Sequence, residues 1–343
     1  DDSSTASDSE TVTITVTGTN DAPTAVVSSV PLPALAEDTT AEGTVAQLFN
    51  GTGSNAAYAD LDNSGIGDPF AGVVLVANAA TTTQGNWQYK APIGSWTNVS
   101  TGASPLSLAS ALFLPYDYSL RFQPAANWNG TAGSLTARLA DGPLSDHSSG
   151  GSRFNLSTAG SGGATRYSDS SNAVALTATV SAMNDAPVVS LATATLAAIT
   201  EDTTNPTGAS VASFVAASFS DAIDAVSGGS SANTFAGVAI TAYSANPASG
   251  SWQYSSDSGT TWIEITGVTG AATAISLKSS DWIRFLPALH FNGSAPSLDV
   301  VLIDSSTSVT TAAVIDASSR GGTSACSTGT VVISNIVSAV NDA

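Results

Sequence analysis

Acidic residues recur at matching places in the two halves of this chain of 343 residues. The matched acids are Glu37 with Glu201, Asp60 and Asp62 with Asp221 and Asp224, and Asp141 with Asp304. Isolated surface acids are more often solvated loop charges, but these acids keep equivalent turns while most other surface positions differ between the halves. Carboxylates that come together supply the oxygen ligands that calcium prefers. The chemistry that they suggest is the binding of a hard cation.

A short motif divides the chain into two blocks. Asn-Asp-Ala-Pro stands at 20–23 and at 184–187, and Asn-Asp-Ala returns at 341–343. Self-similarity at a fixed period of this kind indicates tandem repeats. Each complete copy follows an alternating, strand-like run, at 11–16 and at 173–180, so each copy marks a domain joint. We expect residues 1–19 to be a lead-in or the last strand of a preceding repeat, 20–183 to be repeat 1 and 184–343 to be repeat 2.

Composition limits the partners. With 42% apolar residues the chain can bury two cores, and its formal charge of -19 repels nucleic acid and anionic lipid. No apolar run is long enough to span a bilayer, and the first residues do not form a signal peptide. The one cysteine, Cys326, cannot form an intrachain disulfide. Stability outside the cell would therefore come from packing and bound metal.

The pattern of short runs predicts an all-β fold. Alternating runs separated by Gly, Asn, Asp and Pro turns are typical of antiparallel sandwiches, and we expect about seven strands in each of two tandem β-sandwich domains. The runs expected in repeat 2 are 188–196, 211–214, 238–243, 251–254 with 261–265, 274–277 with 282–285, 297–303 and 330–338. Residues 142–171 of repeat 1 are expected to be a long loop near one pole.

Alternating strand directions place several of the acids together. In repeat 1 the first strand carries the chain toward the second joint, and in repeat 2 the second and penultimate strands return toward the same joint. The residues expected to converge there are Glu37, Asn184, Asp185, Asp221, Asp224 and Asp304. Carboxylate, amide and backbone oxygens of this number fit calcium.

Other chemistry has weaker support. Trp-Gln-Tyr recurs at 87–89 and 252–254, and its period of two favours a sandwich core over a sugar-binding surface. Residues 255–262 resemble the Asp-box, a hairpin motif that is common in sialidases and is not catalytic there. The two histidines stand apart, and neither a nucleophile elbow nor a phosphate loop is present. We expect no enzyme, and a glycan hydrolase is a third hypothesis that rests on the Asp-box alone.

The Asn-Asp-Ala-Pro joint, the Glu-Asp-Thr turns at 37–39 and 201–203 and the Asp pairs resemble cadherin-like, VCBS-type tandem repeats of bacterial RTX large adhesins. The resemblance implies calcium at the linkers of extender domains. By that similarity, the first joint would use Asn20, Asp21, Asp60, Asp62 and Asp141, and the final joint would use Glu201, Asn341 and Asp342. It also implies an extracellular or cell-surface location.

These observations predict a calcium-dependent extender region that projects a ligand-binding tip for adhesion or biofilm formation. Its partners would be neighbouring repeats of the same long chain, with neither nucleic acid binding nor membrane insertion. The alternative is a carbohydrate- or peptide-binding module of the same adhesin, with residues 142–171 as its site.

Overall fold

A computed structural model describes residues 9–14, 18–62, 68–100 and 104–341. Short strands in several sheets make up most of its regular structure, with only brief helical turns between them. The fold is therefore all-β, as the sequence predicts. The contacts group the chain into two compact units. The first contains residues up to Leu35, Thr40–Gln123 and Ala132–Thr179, and the second contains Ala36–Thr39, Pro124–Thr131 and Val180 onward.

Most strands of the first half are short, and the longest are Phe70–Asn78 and Leu135–Asp141. The strands are β1 (Thr24–Ala25), β2 (Ser29–Pro31), β3 (Leu35–Ala36), β4 (Ala41–Thr44), β5 (Tyr58–Ala59), β6 (Phe70–Asn78), β7 (Gly85–Lys90), β8 (Thr97–Asn98), β9 (Ala111–Pro115), β10 (Ser119–Pro124), β11 (Gly130–Thr131), β12 (Leu135–Asp141), β13 (Arg153–Phe154), β14 (Ala173–Thr177) and β15 (Thr179–Ser181). In the first unit a six-stranded sheet has the order β13-β9-β6-β12-β14-β2, and a four-stranded sheet has the order β4-β10-β7-β8.

The second half repeats this arrangement. Its strands are β16 (Val188–Val189), β17 (Thr193–Thr195), β18 (Ile199–Thr200), β19 (Ala209–Ser210), β20 (Phe219–Ser220), β21 (Phe235–Tyr243), β22 (Gly250–Ser255), β23 (Ile263–Glu264), β24 (Ala274–Lys278), β25 (Trp282–Pro287), β26 (Gly293–Ser294), β27 (Leu298–Asp304), β28 (Val314–Ile315), β29 (Val331–Ser334) and β30 (Ile336–Ser338). The second unit has a six-stranded sheet, β17-β29-β27-β21-β24-β28, and a four-stranded sheet, β19-β25-β22-β23.

An early strand of each repeat pairs in parallel with a late strand. In the first unit β2 lies parallel to β14, and in the second unit β17 lies parallel to β29. The other pairings in both six-stranded sheets are antiparallel. Parallel neighbours cannot be joined by a tight hairpin, and in each repeat most of the repeat lies between the two paired strands.

The core of the second unit lies between its two large sheets. Trp252 and Phe285 of the four-stranded sheet pack edge to face, with ring centroids 5.5 Å apart, against Val300 of the six-stranded sheet. Trp87 and Phe122 make the same contact in the first unit at 5.2 Å. The indole N–H of Trp252 donates to the carbonyl of Pro296 at 2.6 Å. The recurrent tryptophans are therefore core residues, as their period of two predicts.

Central strands of the six-stranded sheets are buried on both faces. Val74, Phe113 and Ala140 form a second cluster in the first unit, apart from the face that meets the four-stranded sheet, and Val301 with Ile303 do the same in the second. A strand covered on both faces reads as a continuous apolar run and not as an alternating one. This accounts for the unbroken apolar stretch at the end of β27.

The long loop expected at 142–171 is a partly structured cover over the six-stranded sheet. It contains β13 and a short helix at Leu156–Ala159, and β13 pairs with β9 at the edge of that sheet. Leu156 and Tyr167 are buried in the second cluster. The segment also reaches the first joint, where the carbonyl of Gly163 accepts the backbone N–H of Ala22 at 2.7 Å. Beyond the placement near one pole, it covers the apolar outer face of the sheet.

One predicted strand, 211–214, is a helix. Val211–Val215 forms a helix, and its equivalent in the first half is Val45–Phe49. In the second half, the buried Val211 and Val215 stand four residues apart, which is a helical spacing. Over only four residues, 211–214, this pattern cannot be distinguished from that of a strand. In the first half Thr44 caps the helix reciprocally with Gln47.

Other predicted strands differ from the observed ones in their boundaries. The expected strand 188–196 is broken into β16 and β17, and 330–338 is broken into β29 and β30. Residues 11–14 of the expected lead-in strand at 11–16 have no strand structure, and Val12 and Ile14 are exposed. An alternating pattern forms a strand only beside a neighbour that accepts its hydrogen bonds. Residues 15–16 lie outside the described ranges.

Candidate metal centres

The oxygens expected at the second joint form one network in the second unit. The backbone N–H of Asp185 donates to Oδ1 of Asp224 at 2.9 Å. The amide of Asn184 donates to Oδ2 of Asp304 at 3.3 Å. Asn233, which sequence reasoning missed, donates from Nδ2 to Oδ1 of Asn184 at 2.8 Å and to Oδ2 of Asp224 at 2.9 Å. Four of the predicted residues are thus linked directly or through one amide.

Glu37 reaches the same unit through its own short segment. Its side chain is buried, its Oε1 accepts the backbone N–H of Met183, and its Oε2 accepts Nδ2 of Asn129 at 3.1 Å. The same Asn129 amide donates to Oγ of Ser230 at 2.8 Å, and its Oδ1 accepts the Ser230 backbone N–H at 2.7 Å. Asn129 therefore ties Glu37 to the loop that follows Asp224.

The carboxylates of this network repel one another. Burial, together with the charges of Asp224, Asp304 and Asp185, raises the pKa of Asp221 to about 6, against a backbone hydrogen bond from Asn233 that lowers it. The pKa of Asp185 is also raised, first by burial and then by the charge of Asp224. Oδ1 of Asp221 is buried and accepts no hydrogen bond from the described residues. The network therefore concentrates negative charge and leaves one oxygen without a donor.

The oxygens of the first joint form a related network in the first unit. The backbone N–H of Asp21 donates to Oδ2 of Asp62 at 2.6 Å, and that of Asp62 donates to Oδ1 of Asp60 at 2.9 Å. Tyr58 donates its hydroxyl proton to Oδ2 of Asp60 at 3.0 Å. Asp141 is fully buried, and burial, followed by the neighbouring Asp60, raises its pKa to about 7.

The first network also contains a cation. The guanidinium of Arg166 donates to Oδ1 of Asn20 at 2.7 Å, pairs with Asp68 and lies 3.7 Å from Oδ1 of Asp141. In the described part of the second unit, no Lys or Arg lies within ion-pair distance of Asp185, Asp221, Asp224 or Asp304. The two networks therefore differ in how their charge is balanced.

The final joint is represented by Glu201. Its Oε1 accepts the backbone N–H of Val340 at 2.6 Å, and its Oε2 accepts Nδ2 of Asn292 at 2.9 Å. The hydrogen bond from Val340, followed by that from Asn292, lowers the pKa of Glu201. Asn341 is exposed, and Asp342 lies outside the described residues. Of the three residues expected at this joint, only Glu201 is held in a defined contact.

The donor chemistry of the networks fits a hard cation. Asp221 Oδ1 and both carboxylate oxygens of Asp141 are buried without a hydrogen-bond donor among the described residues, and such orphaned oxygens are costly unless an ion or water satisfies them. Carboxylate and amide oxygens are calcium ligands. Within the described ranges, however, no three His, Cys, Asp or Glu side chains are arranged closely enough to hold a metal ion. Binding would require carboxylates to exchange amide donors for the ion.

Sequence reasoning missed the residues that hold the carboxylates in place. They are Asn129 and Asn292, which precede a glycine at matching places in the two repeats, and Asn233, Tyr58, Asp68 and Arg166, which are not repeated. The Asn-Gly pair was a visible signal. The others carried none, because different residue types stand at the equivalent positions of the two repeats.

Comparisons with known proteins concern the fold. No protein-family model and no curated protein matches the chain. It is similar to extracellular cadherin domains 1–5 of protocadherin gamma B2, at 16% identity and a TM-score of 0.40, over 95% of this chain and 42% of that one. It is also similar to mouse cadherin-23 EC22–24, at 12% identity and a TM-score of 0.32, over 93% of this chain and 65% of that one.

The chain spans less than two thirds of the length of either cadherin structure. Since both TM-scores are below 0.5, neither likeness carries a functional argument, and the fold class stands on the sheets described above. In the described residues, no helix has the length and apolarity needed to cross a membrane.

Proposed function

We propose that this chain is a calcium-dependent structural region of a bacterial surface adhesin, acting outside the cell as an extender that holds a ligand-binding tip away from the surface. Its repeats run, on this proposal, from 20 to 183 and from 184 to 343. The resemblance of the joints to RTX adhesin repeats supports the family, and the acidic networks support the metal.

The observation that carries the proposal is the unbalanced charge around Asp185. Four aspartates meet there through shared amides, Asp221 keeps a buried oxygen without a donor, and no basic side chain of the described residues pairs with them. A buried carboxylate without a partner is unfavourable. A divalent cation supplies the missing charge and accepts the free oxygens as ligands.

The residues of this chain have distinct parts in the proposed mechanism. Asp221, Asp224 and Asp304 supply carboxylates from repeat 2, while the joint supplies Asn184 and Asp185. Glu37 comes from the segment Ala36–Thr39, which precedes the joint by more than a hundred residues and yet belongs to the second compact unit. A cation held by all of them would fasten the segments of repeat 1 that lie in this unit to repeat 2.

The test is a calcium titration of the whole chain against Asp185→Ala, followed by melting temperature and small-angle scattering. We expect calcium to raise the Tm of the unaltered chain and chelation to lower it and to shorten the particle. Asp185→Ala should lose most of that response. Asp117→Ala, which removes one exposed acid that is distant in sequence from Asp185, is the charge-matched control. An unaltered chain whose Tm and dimensions ignore calcium would refute the proposal.

A further inference from the structure

Arg166 and Ala325 occupy the same place in the two repeats. The backbone N–H of Asp141 donates to the carbonyl of Arg166 at 3.2 Å, and that of Asp304 donates to the carbonyl of Ala325 at 3.1 Å. The next residue along pairs with the same strand position in each case, as bridges from Tyr167 to β12 and from Cys326 to β27. The comparison of the two positions is therefore a comparison of equivalent sites, one with a guanidinium and one with a methyl group.

The Arg166 side chain lies inside the first acidic network. Its Nη1 donates to Asn20 Oδ1 at 2.7 Å, pairs with Asp68 and lies 3.7 Å from Asp141 Oδ1, while its Nη2 lies 3.2 Å from Asp146 Oδ2. Guanidinium offers donors in a fixed fork that matches carboxylate oxygens. One side chain thus contacts three carboxylates and the amide oxygen of the joint.

The backbone of the first network is shaped to admit this side chain. Gly142 follows Asp141 with φ +89°, and a Cβ at that position would lie 2.6 Å from Nη1 of Arg166. The corresponding residue after Asp304 is Ser305, whose Oγ contacts Asn233. A side chain at 142 would press on the guanidinium, and at this position the first network has glycine and the second has serine.

We propose that Arg166 is a built-in counter-cation that takes the place of calcium at the first joint, so that the two acidic networks of one chain differ in their need for metal. The resident guanidinium balances Asp68, Asp141 and Asp146 without an ion. Calcium and Arg166 compete for the same oxygens, and the ion enters only when the side chain leaves. The contrast with the second joint rests on the function proposed above, but the role of Arg166 does not.

The test measures the number of calcium ions bound per chain by titration calorimetry, together with the melting temperature, for Arg166→Ala, Arg166→Lys and Lys90→Ala. Lys90→Ala removes one positive charge from the same unit, at a surface pair 3.9 Å from Glu42. In chelator, Arg166→Ala should lower Tm by on the order of 5 °C because the buried Asp141 and the half-buried Asp68 lose their partner. Calcium should restore that loss and bind in an extra stoichiometric event. Arg166→Lys and Lys90→Ala should gain no ion.

The reverse graft supplies an independent arm. Ser305→Gly with Ala325→Arg places a guanidinium and its clearance in the second network, and we expect one calcium event fewer than in the unaltered chain. An Arg166→Ala protein that folds but binds no additional calcium would overturn the inference. If Arg166→Ala does not fold, the variant with Ser305→Gly and Ala325→Arg decides: an unchanged number of bound calcium ions there would overturn the inference. An unaltered chain that binds no calcium at all would refute the proposed function, while the gain in Arg166→Ala still decides the role of Arg166.

Discussion

Asn129 donates from Nδ2 to Oε2 of Glu37 at 3.1 Å, and the equivalent Asn292 donates to Glu201 at 2.9 Å. Among the described residues, Asn129 also contacts a further loop, through Ser230, and Asn292 does not. We expect Asn129→Ala to weaken calcium binding at the second joint, because Glu37 loses its link to the loop after Asp224.

Asn292→Ala is the matched control for that change. It removes the same amide from the same kind of glutamate, and we expect it to lower Tm without altering calcium affinity. Isothermal titration of both variants separates the two effects. Equal losses of affinity in the two variants would show that Asn129 acts through general stability.

The metal-free protein should gain stability on acidification. The folded-state pKa values of Asp141 and Asp221 are about 7 and about 6, above the ordinary value of 3.8. The folded state therefore binds more protons than the unfolded state in this range, so stability falls as pH rises from about 5 to about 7. Melting in chelator should show a higher Tm at the lower pH.

Calcium should weaken or reverse that dependence, because ligand carboxylates must be ionised. Asp141→Asn with Asp221→Asn, which cannot ionise at either position, is the control and should flatten the pH profile in chelator. A metal-free Tm that rises steadily from about pH 5 to about pH 7 would contradict the raised pKa values.

Trp252→Ala should cost about 3–5 kcal/mol in the free energy of unfolding, because it leaves a cavity between the two sheets of the second unit. Urea denaturation measures the loss. Trp262, which is half-buried and packs over the guanidinium of Arg284 at 4.2 Å, supplies the control. A Trp262→Ala loss as large as that of Trp252→Ala would contradict the assignment of Trp252 to the core.

Gly72→Ala should destabilise the first unit by about 1–3 kcal/mol. Gly72 has φ +148° at a register irregularity between β6 and β12, and a Cβ there would lie 2.2 Å from the carbonyl oxygen of Leu114. Gly94→Ala is the control, since the nearest atom to its added Cβ is 3.9 Å away. Equal unfolding midpoints for the two variants would contradict this account.

Asp257→Ala should loosen one hairpin and leave calcium binding unchanged. Asp257 accepts the backbone N–H of Thr261 at 2.8 Å and its hydroxyl at 2.7 Å, inside the turn between β22 and β23. These hydrogen bonds lower the pKa of Asp257 to about 2. Hydrogen exchange in this turn should rise in the variant, and a change in calcium affinity would refute a purely structural role.

The sequence predicted the all-β class and the grouping of acids because both depend on repetition. Turns that recur in two copies, such as those holding Asp141 and Asp304, reveal constraint without any alignment. The helix at 211–215 was missed because so short an apolar stretch fits either period. Its equivalent at 45–49 carried the clearer signal, a Thr and a Gln three residues apart.

What repetition could not reveal lies where the repeats differ. Arg166 stands where the second repeat has Ala325, and Asn233 stands where the first repeat has Asp68. Their partners Asp68 and Asn184 lie 98 and 49 residues away along the chain. The cover formed by 142–171 was missed for a similar reason. The cover is needed because the second face of the sheet is also apolar. In the sequence, a strand that is buried on both faces differs from other strands only in having a longer apolar run.

The parallel pairing of the early and late strands in each repeat sets how the chain would carry load. In the second unit Thr193–Thr195 lies beside Val332–Ser334, and the two segments run in the same direction. Tension applied at the start of the earlier strand and at the end of the later one would drag them lengthwise past each other. Their hydrogen bonds would then resist together in shear instead of opening one after another, and the pair would act as a clamp against extension.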